Sequence, residues 1–190
     1  MQIDRKASSI PYYVPHKNIN DHLRKSSERR GTGKLRFMFR RTWNYVLQSL
    51  AYNCPVNSLR IRFHRMRGVH VGENVMLGMH CVLDNAHPEY IYIDDYAALA
   101  GNNYLIAHSN PYLHFKGRMI SYLAPVVIRK GAWIGVSATL LPGTDVGECA
   151  VVSAGSTVSG IVPPHTIVVG NPAAVSRRFA CEEDVFSCYK

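Results

Sequence analysis

An aliphatic residue recurs at every sixth position between residues 128 and 158, and this period constrains the fold more than any other feature of the chain. The residues at this spacing are Ile128, Ile134, Leu140, Val146, Val152 and Val158. Four positions after each stands a small or β-branched residue, namely Ala132, Ala138, Thr144, Ala150, Ser156 or Val162. An amphipathic helix repeats its apolar face about every 3.6 residues and a strand about every 2. A period of six therefore predicts short strands separated by regular corners.

Glycines between the aliphatic positions are suited to those corners, because glycine adopts turn conformations that other residues avoid. They are Gly131, Gly135, Gly143, Gly147 and Gly155. Three hexads, about 18 residues, would close one triangular turn with its aliphatic residues pointing inward. Successive turns would stack at the strand spacing of about 4.8 Å. The sequence thus predicts an all-β core built as a parallel β-helix.

The same register continues upstream in two further triplets of hexads. The first triplet is Val71, Leu77 and Leu83, and the second is Ile93, Leu99 and Leu105. The step between the triplets is a hexad plus four residues, and the step from Leu105 to Ile128 is a coil plus five. The pattern predicts about four coils with two insertions. Because a stacked coil does not need long insertions for its stability, we expect both insertions to serve function.

Positive charge is concentrated before the coil. Residues 1–67 carry 15 Lys/Arg and 3 Asp/Glu, whereas residues 68–190 carry 7 and 10. Within the basic part, 35–52 and 56–68 are predicted helices separated by Pro55 and ended by Gly68. We expect residues 1–67 to form a basic tail and helical cap, residues 68–179 to form the β-helix, and residues 180–190 to form a C-terminal tail.

Three interpretations of the basic helices are open at this stage. They can cap the open end of the coil, whose strand edges would otherwise pair with other chains. A capping role alone predicts buried aromatic residues and exposed arginines. They can instead bring residues 34–67 to an anionic membrane surface, or bind nucleic acid. We expect no nucleic-acid partner.

The compartment is predicted from cysteines and apolar runs. The chain has five cysteines, an odd number, and no CxxC pair. This pattern favours free thiols in a reducing compartment. No run of about 18 apolar residues occurs, and the first 15 residues lack the apolar core of a signal peptide. We expect a cytoplasmic protein, with peripheral attachment to a membrane as an addition to that location.

The segment from Trp133 to Phe179 resembles the closing half of the hexapeptide-repeat O-acetyltransferases. The shared pieces are WIG (133–135), LPG (141–143), SAGS (153–156), VPP (162–164) and GNPA (170–173). The resemblance covers about Val69 to Phe179. The family includes the galactoside and maltose acetyltransferases and the enzymes that modify polysaccharide precursors.

This resemblance implies several properties of the chain. The coil would be a left-handed parallel β-helix with an N-terminal α-helical appendage, and three chains would form a trimer with active sites between subunits. The enzyme would transfer an acetyl group from acetyl-CoA to a hydroxyl of a sugar or polysaccharide precursor, with no metal. The acceptor itself is not revealed by the sequence.

Direct transfer to a hydroxyl needs a general base, and histidine suits that role near neutral pH. The family places its catalytic histidine where the second insertion leaves the coil, which here is His108. His114, in the same insertion, is the alternative. In the hexad register Asn85 lies one coil below His108, where it would orient the imidazole or hold the acceptor hydroxyl. Its neighbour Asp84 is the second candidate for either contact.

The resemblance also implies residues for the two substrates. The pantetheine arm of CoA would run along backbone groups of Val136, Ala154 and Ser159, and Arg177 and Arg178 would face its phosphates. Tyr112, in the second insertion, and Trp133 would shape the acceptor site. The chain departs from many relatives at Gly160 and Ile161, where they carry Lys and Asp. That departure removes one positive charge from the expected phosphate site.

Two other functions remain as alternatives. A γ-type carbonic anhydrase uses the same coil with zinc held by three histidines, and His80, His87, His108 and His114 are the candidates. Their spacing differs from the expected ligand pattern. A β-helix that serves only as a scaffold or binding module is the second alternative.

Overall fold

A computed structural model describes residues 8–9, 34–109 and 122–179, and two helices precede a coil of short strands in it. Helix α1 spans Lys34–Asn53 and helix α2 spans Asn57–Arg67. Gly68 ends α2 in the left-handed conformation with φ of 99°, which glycine adopts without strain. Both helices lie within two residues of their predicted bounds.

The strands form the three faces of a triangular coil. The first face contains β2 (His70–Val71), β5 (Ile91–Ile93), β10 (Val126–Ile128), β13 (Asp145–Val146) and β16 (Ile161–Val162). The second contains β3 (Met76–Leu77), β6 (Ala98–Leu99), β11 (Trp133–Ile134), β14 (Val151–Val152) and β17 (Thr166–Gly170), with β18 (Ala173–Arg178) antiparallel at its edge. The third contains β4 (Val82–Leu83), β7 (Tyr104–Leu105), β12 (Thr139–Leu140) and β15 (Thr157–Val158).

Two short features interrupt the coil at the predicted insertions. A 3₁₀ turn, Pro88–Tyr90, lies between the first and second coils. After the second coil, β8 (His108–Ser109) pairs antiparallel with β9 (Tyr122–Leu123), which pairs in turn with β1 (Ser8–Ser9). Residues 110–121 of the second insertion, the tail residues outside 8–9, and the predicted C-terminal tail lie outside the described residues.

The strand register confirms the hexad pattern. Each aliphatic position pairs with its equivalent one coil away: Val71 with Ile93, Leu77 with Leu99, Leu83 with Leu105, Ile93 with Ile128, Leu99 with Ile134, Leu105 with Leu140, Ile128 with Val146, Ile134 with Val152, and Leu140 with Val158. All but Val71 are buried in one continuous core. The small residues that follow at the fourth position are buried as well. The coil is therefore held by ladders of aliphatic side chains along its axis.

One corner shows why the repeat needs glycine. At Gly135 a Cβ atom would lie 2.5 Å from the backbone nitrogen of Ala154 and 2.8 Å from the carbonyl oxygen of Val152. Such distances are too short for any side chain, so the next coil can stack closely only on glycine. The corners therefore stay in line from coil to coil.

The helices cover the first coil through side-chain hydrogen bonds to its backbone. Strands β2, β3 and β4 are the terminal strands of their sheets, so their outer backbone groups need other partners. Arg60 Nε donates to the carbonyl of Leu77 at 2.6 Å, and Gln48 Nε2 donates to that of Cys81 at 2.9 Å. Asn57 accepts from the backbone nitrogen of Leu77 at 3.0 Å. Polar side chains thus close the open end of the coil.

The distribution of side chains differs from the pattern expected for capping alone. Arg60 and Arg67 are buried between the helices and the coil, whereas Phe39 and Trp43 are exposed. The reason is that strand edges offer carbonyl oxygens, which guanidinium groups can satisfy and aromatic rings cannot. Burial also removes these two arginines from the basic surface expected of residues 34–67.

Replacing Arg60 by methionine should destabilise the fold, because the carbonyl oxygens of Leu77 and Cys54 would lose their donor. A buried acceptor left without a partner costs about 1–3 kcal/mol. Arg62→Met, on an exposed position of the same helix, should change stability by less than about 0.5 kcal/mol. Chemical denaturation of both variants measures the difference, and equal stability would contradict this account of the cap.

Candidate active site

Among the described residues at the start of the second insertion, His108 makes a close contact with Asp84. His108 Nδ1 lies 2.6 Å from Asp84 Oδ2. Strands β4 and β7 pair Leu83 with Leu105, so the residues that follow them meet at one corner of adjacent coils. The hexad register therefore brings a carboxylate from the first coil beneath a histidine of the second.

The Asp84 carboxylate is fixed by the backbone around it. Its Oδ1 accepts from the backbone nitrogens of Ala86 at 2.8 Å and His87 at 2.9 Å, and its Oδ2 accepts from that of Ala107 at 2.8 Å. The side chain has no exposed surface. Asp84 therefore makes the first of its two predicted contacts, that with the imidazole of His108. Its predicted contact with the acceptor stays a prediction, which the full burial of the carboxylate disfavours.

The two side chains change each other's acidity. Burial raises the pKa of Asp84, but the hydrogen bond and charge of His108, together with the backbone nitrogens, lower it to about 2. The hydrogen bond to Asp84 raises the pKa of His108, while burial and the charge of Arg41 lower it in part. Asp84 is therefore ionised at neutral pH and strengthens the imidazole as a base.

The imidazole can exchange a proton with a bound molecule. About 32% of the His108 side chain is exposed. Because Nδ1 is engaged by Asp84, Nε2 is the ring nitrogen that can accept a proton. The ring of His87 stands edge-on to it, with ring centroids 5.6 Å apart. A fixed, partly exposed imidazole with a buried carboxylate behind it is an arrangement suited to general-base chemistry.

Asn85 does not make the contact that the register predicts for it. Its Oδ1 accepts from Arg67 Nη2 at 2.7 Å, and the imidazole is held by the preceding residue, Asp84. The register places both residues at the corner one coil below His108. It does not determine which of two consecutive side chains at a corner points along the coil axis, and a catalytic role of Asn85 stays a prediction.

Arg67, at the end of α2, forms hydrogen bonds to the corner that carries Asp84. The sequence did not predict it as part of the site. Its Nη2 donates to the carbonyls of Leu83 at 2.9 Å and Asp84 at 3.0 Å. Burial lowers its pKa to about 10, with the charge of Asp84 opposing the shift, so it stays charged at neutral pH. The sequence carried no signal for it beyond its place in a basic helix.

A neutral histidine completes the surroundings of Arg67. Burial, followed by the charges of Arg67 and Arg60, lowers the pKa of His64 to about 3. Its Nδ1 therefore accepts from Arg67 Nη1 at 2.9 Å, and Gln48 Oε1 accepts from the same nitrogen. Two acceptors thus hold Nη1 of the guanidinium while Nη2 binds the corner that carries Asp84.

The residues expected to bind CoA lie on different corners of the coil. Val136 and Ala154 stand at the corner between the second and third faces, and both are exposed. Ser159 follows β15 and belongs to the corner that carries His108, with Leu141 in the coil between them. Within one chain these residues therefore lie on two different corners, and their shared role in binding CoA stays a prediction.

The structure also gives the positions of three further residues that were predicted to bind the substrates. Arg177 and Arg178 are exposed on β18. Trp133 is about half exposed on the outer side of the second face, away from the corner of His108. Tyr112 and His114 lie outside the described residues. The roles expected of all these residues in substrate binding remain predictions.

The histidines considered as metal ligands do not gather in the part of the chain that the structure describes. His80 lies against Tyr52, with ring centroids 4.9 Å apart and the ring planes tilted by 49°, and His87 lies beside His108. Residues 34–109 and 122–179 contain no group of three or more His, Cys, Asp or Glu side chains placed to hold a metal ion.

Comparison with known proteins identifies relatives of this chain. A Schizosaccharomyces pombe protein, named provisionally as an acetyltransferase, is 35% identical over 117 residues, which cover 60% of this chain and 55% of that protein. The galactoside O-acetyltransferase of Escherichia coli K12 is 29% identical over 119 residues, which cover 57% of this chain and 53% of that protein. The chain spans about half the length of these curated relatives. No family model matches it.

Solved structures show the same architecture. A maltose O-acetyltransferase from Clostridium difficile 630 is 27% identical, with a TM-score of 0.62 over 75% of this chain and 88% of that one. A hexapeptide-repeat acetyltransferase from Vibrio cholerae, solved with acetyl-CoA, has a TM-score of 0.62 and is 21% identical in sequence. The match covers 77% of this chain and 90% of that one. The resemblance to hexapeptide-repeat acetyltransferases is confirmed. So is the predicted fold, a left-handed parallel β-helix with a helical appendage.

Replacing Asp84 by asparagine should lower the pKa of His108. The variant loses the hydrogen bond to a carboxylate and its negative charge, while burial and Arg41 continue to lower the value. We expect a pKa above the ordinary histidine value of about 6.5 in the parent protein and below it in the variant. Titration of the histidine ring protons by NMR measures both. Asp95→Asn is the control, and an unchanged His108 pKa in Asp84→Asn would refute the pairing.

Proposed function

We propose that this chain transfers an acetyl group from acetyl-CoA to a hydroxyl of a sugar, with His108 as the general base. The observation that supports this proposal is the hydrogen bond between His108 and the buried Asp84, at the corner where the second insertion leaves the coil. The similarity to galactoside and maltose O-acetyltransferases supports the reaction class and the kind of acceptor.

The reaction follows from the orientation of the imidazole. His108 Nε2 takes the proton of the acceptor hydroxyl while the oxygen attacks the thioester carbonyl carbon of acetyl-CoA. The new C–O bond forms, the C–S bond breaks, and the departing thiolate of CoA receives the proton from His108. Asp84 holds the ring in the tautomer with Nδ1 protonated and stabilises the imidazolium formed midway. No covalent acetyl-enzyme is required.

The site of acetyl-CoA is proposed to lie between subunits. Within one chain, Val136 and Ala154 stand on a different corner of the coil from His108 and Ser159. We propose that Val136 and Ala154 of one subunit face the corner of His108 and Ser159 in the next subunit. This arrangement is supported by their positions on two neighbouring corners. Arg177 and Arg178, exposed near the end of the coil, would meet the CoA phosphates. We therefore propose a trimer.

The acceptor and the cellular compartment are part of the same proposal. The acceptor would be a sugar of a polysaccharide precursor, and Tyr112 and Trp133 would contribute stacking surfaces for it. The enzyme would act in the cytoplasm. Among the described residues, the thiols of Cys54 and Cys81 support that setting, because neither forms a disulfide.

Replacing His108 by alanine should reduce acetyl transfer by about 10²–10⁴-fold, the usual cost of removing a general base. The binding of CoA should be nearly unchanged, because His108 acts on the acceptor hydroxyl. Thiol release from acetyl-CoA across a panel of sugars measures the transfer, and calorimetry measures CoA binding.

Two control variants make this experiment specific. His70→Ala changes a histidine on the first face, stacked on Tyr92 with ring centroids 4.5 Å apart, and should retain activity. His114→Ala should lose much less activity than His108→Ala. Equal losses in the variants of His108 and His114, or no loss in either, would show that the base is assigned to the wrong residue.

A further inference from the structure

The outward face of α1 carries an apolar stripe. Leu35, Phe39, Trp43, Val46 and Leu50 recur at spacings of four, four, three and four residues, which place them on one side of a helix. Leu35 is 84% exposed, Phe39 69% and Trp43 42%. From Leu35 to Leu50 the stripe is about 22 Å long, at a rise of about 1.5 Å per residue. Phe39 and Trp43 stack with ring centroids 6.2 Å apart.

The opposite face of the same helix already has its partner. Asn44, Leu47, Gln48 and Ala51 are buried against α2 and the first coil. A helix that packs only on its own protein would direct its large apolar side chains to that inner face. Here two amides occupy it, and most of the large apolar side chains face outward. The stripe is therefore not explained by the capping of the coil.

Basic residues border the stripe, and acidic residues are absent from both helices. Residues 34–67 contain eight Lys or Arg and no Asp or Glu. At 3.6 residues per turn Arg36 lies beside the stripe and Arg40 just beyond it, whereas Arg41 lies on the far side of the helix; all three are exposed. An apolar strip with Trp and Phe on a helix rich in basic residues is the pattern of helices that lie in the surface of an anionic bilayer.

We propose that the stripe of α1 docks on the surface of an anionic membrane. The helix would lie in the plane of the interface, with its rings among the acyl chains and its arginines at the lipid headgroups. None of the helices that the structure describes is long and apolar enough to span a bilayer. Binding would therefore be peripheral and salt-sensitive, because charged headgroups attract basic residues only within a Debye length.

The helix that carries the docking surface adjoins the candidate active site. Arg41, on the far side of α1 from the stripe, is close enough to His108 for its charge to lower the pKa of the imidazole. Docking would thus bring the catalytic corner near the headgroup layer. On the function proposed above, an acceptor sugar carried on a membrane lipid would reach His108 there. Docking itself does not depend on that function, since vesicle binding can be measured without acetyl transfer.

Co-sedimentation of the full chain with vesicles tests the proposal. The chain should bind phosphatidylcholine vesicles that contain phosphatidylglycerol, should not bind pure phosphatidylcholine, and should be released at 1 M salt, where screening is about three times shorter-ranged than at 0.1 M. Arg36→Glu combined with Arg40→Glu should weaken binding at least about 25-fold, since each basic residue contributes about fivefold. Arg177→Glu with Arg178→Glu makes the same charge change on β18 and should leave binding intact.

A second variant tests the apolar part of the surface. Phe39→Ser with Trp43→Ser should abolish vesicle binding and leave both the oligomer mass and the thermal stability unchanged, because both rings are exposed. Val175→Ser, at an exposed apolar position of β18, is its control. A smaller oligomer mass in the double variant would assign the stripe to a subunit contact and overturn the proposal. Absence of binding at low salt, equal binding to neutral vesicles, or equal loss in the β18 variants would overturn it as well.

Discussion

The pairing of aliphatic residues between successive coils is the constraint on which the rest of this structure depends. Each hexad places its aliphatic side chain in the core, and the equivalent residue of the next coil stacks on it at the strand spacing of about 4.8 Å. The corners consequently stand in straight columns along the axis. A residue next to a corner is therefore held at a fixed height and direction, although the loop that follows it can vary.

The candidate site lies at one of these columns of corners, the one that follows the strands of the third face. Asp84, His108 and Ser159 all follow strands of the third face, so they lie along the same corner in the first, second and fourth coils. Both insertions leave the coil at this column without breaking the ladders on either side of them. Asp84 is buried with four hydrogen bonds to its carboxylate, and these offset the loss of water around its charge. Arg67 links the same corner to the helical cap, so the cap and the site share one hydrogen-bonded network.

Much of the fold could be predicted from the sequence, because its signals are local. The hexad period defined the coil register, and Pro55 and Gly68 separated and ended the helices. The same register placed Asp84 and Asn85 beneath His108. The choice between those two could not be predicted, since it depends on the direction of side chains at a corner. The burial of Arg60 and Arg67 was missed because it depends on how the helices dock, which no spacing in the sequence determines. The residues predicted to bind CoA stand on two different corners of the coil, and no spacing in the sequence determines whether they act together.

The dependence of kcat/KM on pH, for an acceptor that supports thiol release, tests the central role of the His108–Asp84 pair most directly. The hydrogen bond to Asp84 raises the pKa of His108, so the free base is lost as the pH falls through that raised value. The account predicts that activity falls below an apparent pKa higher than the ordinary value of about 6.5. It also predicts that this limb moves to lower pH, at reduced maximal rate, in Asp84→Asn. A flat profile through the histidine range, or a limb that keeps its position in the variant, would contradict it.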